Sequence, residues 1–307
     1  MKKEELISIV ITTYNRSNKV EDAIKSAINQ TYKNTEIIVV DDNSNNLDER
    51  KKTETIVKKY KNIKLVQNKR NLGGALSRNE GIKESRGNLI SFLDDDDIYL
   101  PNRLEEMYRV YTKHVDEKVG LVYCSCNCIN DNKEIIGCYE SNYNGLPLYN
   151  QMLGCIAGTS MWLAPKSTLI DVGMFEDTPC KQDSILLLKI IANDYNVYSV
   201  NKRLVLYYEH DNSNGISGVK PSNIIGLKKY REWCRNYYNK LDNKREIDDV
   251  ECNFSRLLIS LLVINNRSKE AKTELKNIFL RRPFSKEVIK GFFKIYFSKI
   301  YFKKLGL

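Results

Sequence analysis

Leu89-Ile90-Ser91-Phe92-Leu93-Asp94-Asp95-Asp96-Asp97 puts four consecutive carboxylates directly behind a short apolar run. The apolar part reads as a buried strand. Four like charges in a row repel, and folding alone gives no reason for them. A hard divalent cation, Mg²⁺ or Mn²⁺, relieves that repulsion, because such ions take carboxylate oxygens as ligands. Along an extended chain Asp94 and Asp96 point one way and Asp95 and Asp97 the other. The strand end therefore offers a carboxylate pair to one metal. A solvated acidic turn would produce the same run, so context has to decide. A second acidic pair, Asp41-Asp42, ends another apolar run, Ile37-Ile38-Val39-Val40.

Working outward, strands and helices alternate over the first hundred residues. Ile7–Thr13, Glu36–Val40, Ile63–Gln67 and Leu89–Leu93 read as strands. Between them lie helices capped by Asn18 and running to about Asn29, then over Asp48–Tyr60, then over Gly74–Ser85. Pro101 opens a fourth helix, with Leu104, Met107, Tyr108 and Tyr111 at helical spacing. This alternation predicts an α/β fold with a mostly parallel central sheet flanked by helices. Ligands gather beyond the carboxyl ends of such strands, where Thr12-Thr13-Tyr14-Asn15, Asp41-Asp42 and Asp94–Asp97 all fall. Later the pattern is mixed. A hairpin joins Leu121–Ile129 to Glu134–Tyr139 and a short strand covers Met161–Ala164. An amphipathic helix spans Asp183–Asn193, two strands cover Val197–Val200 and Leu204–Tyr208, and helices run from about Ser222.

The chain has 307 residues, 42% of them apolar and 29% charged, which suits a globular protein. No apolar stretch approaches the roughly 20 residues that span a bilayer, and residues 1–5 lead into a strand with no signal-peptide core. Eight cysteines include no CxxC pair, so they are expected to be reduced, in a cytoplasmic protein, and not zinc ligands. The net charge of +10 is uneven: residues 220–307 carry 21 Lys/Arg against 9 Asp/Glu, the first 219 carry 28 against 30. The expected division is a domain over 1–219 that carries the acidic strand ends and a basic helical extension over 220–307.

A sugar-nucleotide site accounts for the strand-end residues. Tyr14 can stack on a base, worth about 1–3 kcal/mol, or pack internally. Asp42 can accept from a base N–H or cap a turn. Asp94 and Asp96 would hold ribose and metal, and the metal would stabilise the departing diphosphate. Arg78 could pair with phosphate or form a structural ion pair. Neither a G-x-G-x-x-G nor a P-loop is present.

Ser8-Ile9-Val10-Ile11-Thr12-Thr13-Tyr14-Asn15-Arg16 resembles the opening strand of glycosyltransferase family 2. Ile38–Ser44, Leu72–Ile82 and Phe92–Asp97 resemble that family's next segments, in its order and spacing, and the resemblance covers residues 6–217. It implies an A-type glycosyltransferase fold, a nucleotide-diphosphate sugar donor and inversion at the anomeric carbon. By this resemblance Thr12, Tyr14, Asp42, Arg78, Asp94 and Asp95 bind the donor and Asp96 and His210 the metal, while Asp183 is the base and Trp162 lies near the acceptor. Gln182 stands where the family usually has Glu. Without the resemblance, Asp183 reads as a helix cap.

In the tail, Lys286, Lys290 and Lys294 alternate with Ile289, Phe292, Phe293 and Tyr296. Residues 285–304 form a basic, aromatic helix suited to an anionic membrane surface, or to packing on the domain. The expected activity is metal-dependent transfer from a UDP-sugar to a glycan or lipid-linked oligosaccharide. That suits cell-surface polysaccharide or capsule synthesis by a cytoplasmic protein peripheral on the inner membrane face. No nucleic acid is expected as a partner. The alternatives are a nucleotidyltransferase-like enzyme and a non-catalytic membrane scaffold.

Overall fold

The computed structural model describes residues 4–209 and 219–297. Four strands, β1 (Ile7–Thr13), β2 (Thr35–Asp41), β3 (Ile63–Gln67) and β4 (Leu89–Asp94), alternate with α1 (Ser17–Ile28), α2 (Leu47–Lys58) and α3 (Gly73–Glu84). Then come β5 (Ile98–Tyr99), α4 (Arg103–His114), β6 (Val119–Ile129), β7 (Ile135–Tyr139), α5 (Leu148–Leu153), β8 (Trp162–Pro165), α6 (Lys166–Asp171), α7 (Gln182–Ala192) and β9 (Asn196–Tyr208). Helices α8 (Pro221–Arg235), α9 (Lys244–Ile264), α10 (Ser268–Arg281) and α11 (Lys286–Tyr296) follow.

Among the described residues the strands form one sheet in the order β3-β2-β1-β4-β8-β6-β9-β5, with β7 paired to β6. The fold is mixed α/β with flanking helices. β3, β2, β1 and β4 are parallel neighbours, and β6 and β9 are also parallel. β8 runs antiparallel to both β4 and β6, and so joins the two parallel parts. β1 and β4 are buried almost throughout, which is why they read as continuous apolar runs and not as alternating ones. α3 packs on β1 through Gly81, where a Cβ would lie 2.2 Å from Val10 Cγ1. Gly81→Val is therefore expected to destabilise the fold by about 1–3 kcal/mol through overpacking. An unchanged urea midpoint would show that this contact can relax.

Several local expectations change. Asn18 does not cap α1. The helix begins at Ser17, and Glu49 of α2 accepts from its backbone N–H (3.1 Å) and its hydroxyl (2.7 Å). A carboxylate distant in sequence thus satisfies a donor that the first turn leaves open. α7 is not amphipathic: Ser184–Ala192 are all buried, as in a helix enclosed on every side. Its one lysine, Lys189, is satisfied internally by Met174 O and Glu176 Oε1, each at 3.1 Å. The two strands expected over Val197–Tyr208 are one. A left-handed residue, Asn201 (φ 53°), and a shift of register against β6 separate its halves without ending it.

The chain divides into two compact units. The first takes Met1–Pro147, Cys155–Asp177 and Gln182–Glu209, and the second Leu148–Gly154, Thr178–Lys181 and His210–Leu307. Upstream segments belong to the second unit because of specific contacts there. Tyr230 donates to Gln151 O, and Asn253 Nδ2 donates to Leu153 O at 2.7 Å. Among the described residues no helix is long and apolar enough to cross a membrane.

Candidate functional site

Strand register assembles the site. β1 sits between β2 and β4, so Thr12 lies opposite Asp94 and Thr13 opposite Asp41, all at carboxyl ends. The acidic run alternates as its sequence requires: Asp95 and Asp97 are buried, while Asp94 and Asp96 are partly open. Asp95 accepts from Thr13 Oγ1 at 2.7 Å and lies 3.1 Å from Arg16 Nη2, and the other arm of Arg16 pairs with Asp96. Arg16 is thus a fork across two neighbouring carboxylates. Asp94 pairs with Arg78 and its N–H donates to Ser160 Oγ at 3.1 Å. Asp97 accepts from Tyr208 N at 2.9 Å, tying β9 to the acidic turn.

Burial dominates the electrostatics. It pushes the Asp95 carboxyl up to about 7 against the pull of Arg16, with the Asp96 charge adding to the rise. Asp97 is raised well above the ordinary range, first by burial and then by the charges of Asp94 and Asp96. The same acidic field reaches Tyr207. Its phenol is raised by burial and then by the charges of Asp97, Asp94, Asp183 and Asp96. Asp183 lies half-buried in the first turn of α7, just after the left-handed Lys181 (φ 64°), and Oδ1 accepts from Ser184 N at 2.7 Å.

Two expected site residues have other places. Asp42 is held by internal hydrogen bonds. Oδ1 accepts from Leu72 N (2.7 Å) and Asn68 Nδ2 (2.9 Å), and Oδ2 accepts from Gly73 N (2.8 Å). α3 has no side-chain cap of its own, so Asp42 supplies the carboxylate that its amino end favours. Trp162 is 0% exposed, donates to Ala157 O at 3.0 Å and stacks on Phe175 at 6.1 Å, so its ring is held in the core. Burial of both ring faces is what a core indole needs once its N–H has a partner.

The other expected residues keep accessible or unspent groups. Tyr14 is 43% exposed at the end of β1. Arg78 is buried, and its Nε and Nη1 make no hydrogen bond among the described residues. His210 lies outside the described residues. Arg16, Ser160, Tyr207 and Tyr208 join the site although sequence reading gave them no role. Arg16 stands in the quoted opening segment, but its partners lie some 80 residues away.

Hard carboxylate oxygens on Asp94 and Asp96 are the donor set that Mg²⁺ or Mn²⁺ prefers. Among the described residues no three acidic, histidine or cysteine side chains converge on one point, and guanidinium groups balance the charge of this pair. The two carboxylates alone are an incomplete ligand set, and each is paired with a guanidinium here.

Residues 8–157 match the family model described as glycosyl transferase family 2. An uncharacterized glycosyltransferase of Methanocaldococcus jannaschii is 30% identical over 249 residues, 76% of this chain and 83% of the relative. An Escherichia coli UDP-Glc:alpha-D-GlcNAc-diphosphoundecaprenol beta-1,3-glucosyltransferase is 32% identical over 200 residues, 64% of this chain and 73% of the relative. The fold is also that of Staphylococcus aureus TarS 1–349 in complex with UDP. The TM-score is 0.64 at 15% identity, over 90% of this chain and 81% of that one. With its strand-end acids in the same order as the sequence motifs, the chain belongs to glycosyltransferase family 2.

Proposed function

We propose that the enzyme transfers a sugar from a UDP-sugar to a glycan or lipid-linked glycan with inversion, using Mg²⁺ or Mn²⁺, in cell-surface polysaccharide synthesis at the cytoplasmic membrane face. The observation that carries this reading is the gathering of Asp94, Asp96, Arg16 and Arg78 at the carboxyl ends of β1 and β4. Relatives support the donor class. The E. coli enzyme is named for UDP-Glc and for a diphosphoundecaprenol-linked acceptor, and TarS is described with UDP and with UDP-GlcNAc.

In this reading Tyr14 stacks on the base and Thr12 lines the strand end beside the donor. Asp96 and Asp94 hold the cation, and Asp95, buried against Thr13, keeps Arg16 in place. When bound, the cation neutralises charge on the leaving diphosphate. Arg16 and Arg78 can turn their forks from carboxylate to phosphate, and Arg78 already has two donors unspent. Asp183 takes the proton of the acceptor hydroxyl as that hydroxyl attacks opposite the diphosphate. A single carboxylate suffices for inversion, because the proton becomes acidic only as the new bond forms. The transition state is oxocarbenium-like, by chemical analogy with glycoside hydrolysis.

A panel of nucleotide sugars with and without Mn²⁺, read by thermal shift, tests the donor and the metal together. One UDP-sugar and Mn²⁺ should raise the melting temperature jointly, by about 2.7 kcal/mol of stability at a hundredfold excess over Kd. Asp96→Ala should abolish the joint effect while leaving the unliganded fold intact. A donor shift that is the same with chelator as with Mn²⁺ would rule out the metal in this reading.

A further inference from the structure

We propose that α10 and α11 form a surface that docks on an anionic lipid bilayer through an exposed aromatic face ringed by lysines. This goes beyond the reaction and does not depend on it. The deciding observation is which side of α11 is used for packing. Gly291 and Ile295 are its buried residues, and a Cβ at 291 would come within 2.8 Å of Leu275 Cδ1 and 3.3 Å of Ile259 Cδ1. The helix therefore rests on α9 and α10 along a narrow seam that includes a glycine. Its large apolar side chains are left outside: Ile289 is 58% exposed and Phe293 50%, and Phe292 and Tyr296 are also exposed. The aromatics touch one another along the helix, Phe292 with Tyr296 at 4.5 Å and Phe293 with Phe297 at 5.5 Å. In the turn before α11, Phe284 is 99% exposed, and Phe279 and Leu280 at the end of α10 extend the patch.

Contiguous exposed apolar surface of this kind marks an interaction site, and charge selects the partner. Residues 268–297 carry eight Lys/Arg and three Asp/Glu. Two of those acids are engaged inside the unit, Glu270 by Arg267 and Lys228 and Glu274 by Arg231, and Arg281 and Arg282 pair with Asp248 and Asp249, so the six lysines against Glu287 set the sign of the surface. Lys294 reaches back to Ser260 Oγ at 2.7 Å, whereas Lys286 and Lys290 are exposed beside Ile289 and Phe293. A second copy of the chain would set like charges face to face across a two-fold axis. A nucleic acid would use the lysines and leave the aliphatic and aromatic side chains in water. An anionic bilayer takes both, with apolar side chains at the acyl boundary and ammonium groups at the headgroups. Among the residues expected to contact membrane, 298–304 lie outside the described residues, and the surface stands without them.

The test is co-sedimentation of the full chain with phosphatidylcholine vesicles, with and without phosphatidylglycerol. Binding to the phosphatidylglycerol vesicles, weakened by added salt, is expected. Lys286→Ser with Lys290→Ser should weaken it about thirtyfold. Ile289→Ser with Phe293→Ser should weaken it at least about tenfold, with the melting temperature little changed because these side chains are half exposed and lie off the seam of Gly291 and Ile295. Three results would overturn the proposal: no recovery with anionic vesicles, recovery that neither pair of substitutions changes, or a dimer in solution that the same apolar substitutions dissociate.

Discussion

Asp183→Asn is expected to lower sugar transfer about a thousandfold while leaving donor binding unchanged, a loss within the ~10²–10⁴ range of general acid–base catalysis. The amide retains the shape of the carboxylate, and its oxygen can still accept from Ser184 N, the bond that Oδ1 makes now. The start of α7 should therefore survive, and what disappears is the capacity to take a proton. The enclosed helix holds the carboxyl in place, since every residue from Ser184 to Ala192 is buried. Parallel measurements separate the effects: thermal shift with donor and Mn²⁺ reports binding, and product formation reports chemistry. Transfer at the normal rate would remove Asp183 from the mechanism, and loss of the thermal shift would make it a binding residue instead.

Glu251→Ala should destabilise the second unit by about 3–5 kcal/mol, the usual cost of breaking a buried ion pair by removing one partner. Glu251 is 2% exposed and receives Arg231 Nε at 2.9 Å, Arg235 Nε at 2.7 Å and the Tyr238 hydroxyl at 2.7 Å. Arg231 continues the network to Glu274, which also accepts from Ser255 Oγ at 2.6 Å. Truncation leaves Arg231 with a buried charge only partly compensated. Burial alone would raise the Glu251 carboxyl, but Arg235, Arg231 and Tyr238 hold it down to about 2, below the ordinary 4.5. With the folded value below the unfolded one, its stabilisation is complete above about pH 4.5 and is lost as pH falls toward 2. Urea midpoints across that window should fall for the native chain and stay flatter for Glu251→Ala. A loss of less than about 1 kcal/mol at neutral pH would place this network with exposed ion pairs.

The α/β alternation, the four parallel strands and the acidic strand ends were legible because each is a local signal. A doubly buried strand is a run of apolar residues, and a helix is a period. Asp94 and Asp96 being partly exposed while Asp95 and Asp97 are buried follows from the same two-residue period. Partnership was not legible. Asp42 and Trp162 belong to residue types that serve ligand binding and internal structure equally well. Asp42 was committed to the start of α3 by bonds some 30 residues away in sequence. Trp162 was committed to the core by Phe92 and Phe175. β5, two residues long, has no pattern to read and exists because β9 offers it an edge.

Residue order thus determined that a parallel sheet ends in carboxylates and that the chain closes in basic, aromatic helices. Those properties depend on neighbours a few positions apart. Only the folded chain decided that Arg16 spans Asp95 and Asp96, that Arg78 pairs with Asp94, and that α11 packs through Gly291 and leaves its aromatic side chains largely exposed. The reason is physical. Burial and pairing are properties of surfaces brought together across tens of residues, and a side chain's periodicity shows which face it lies on but not what will cover that face.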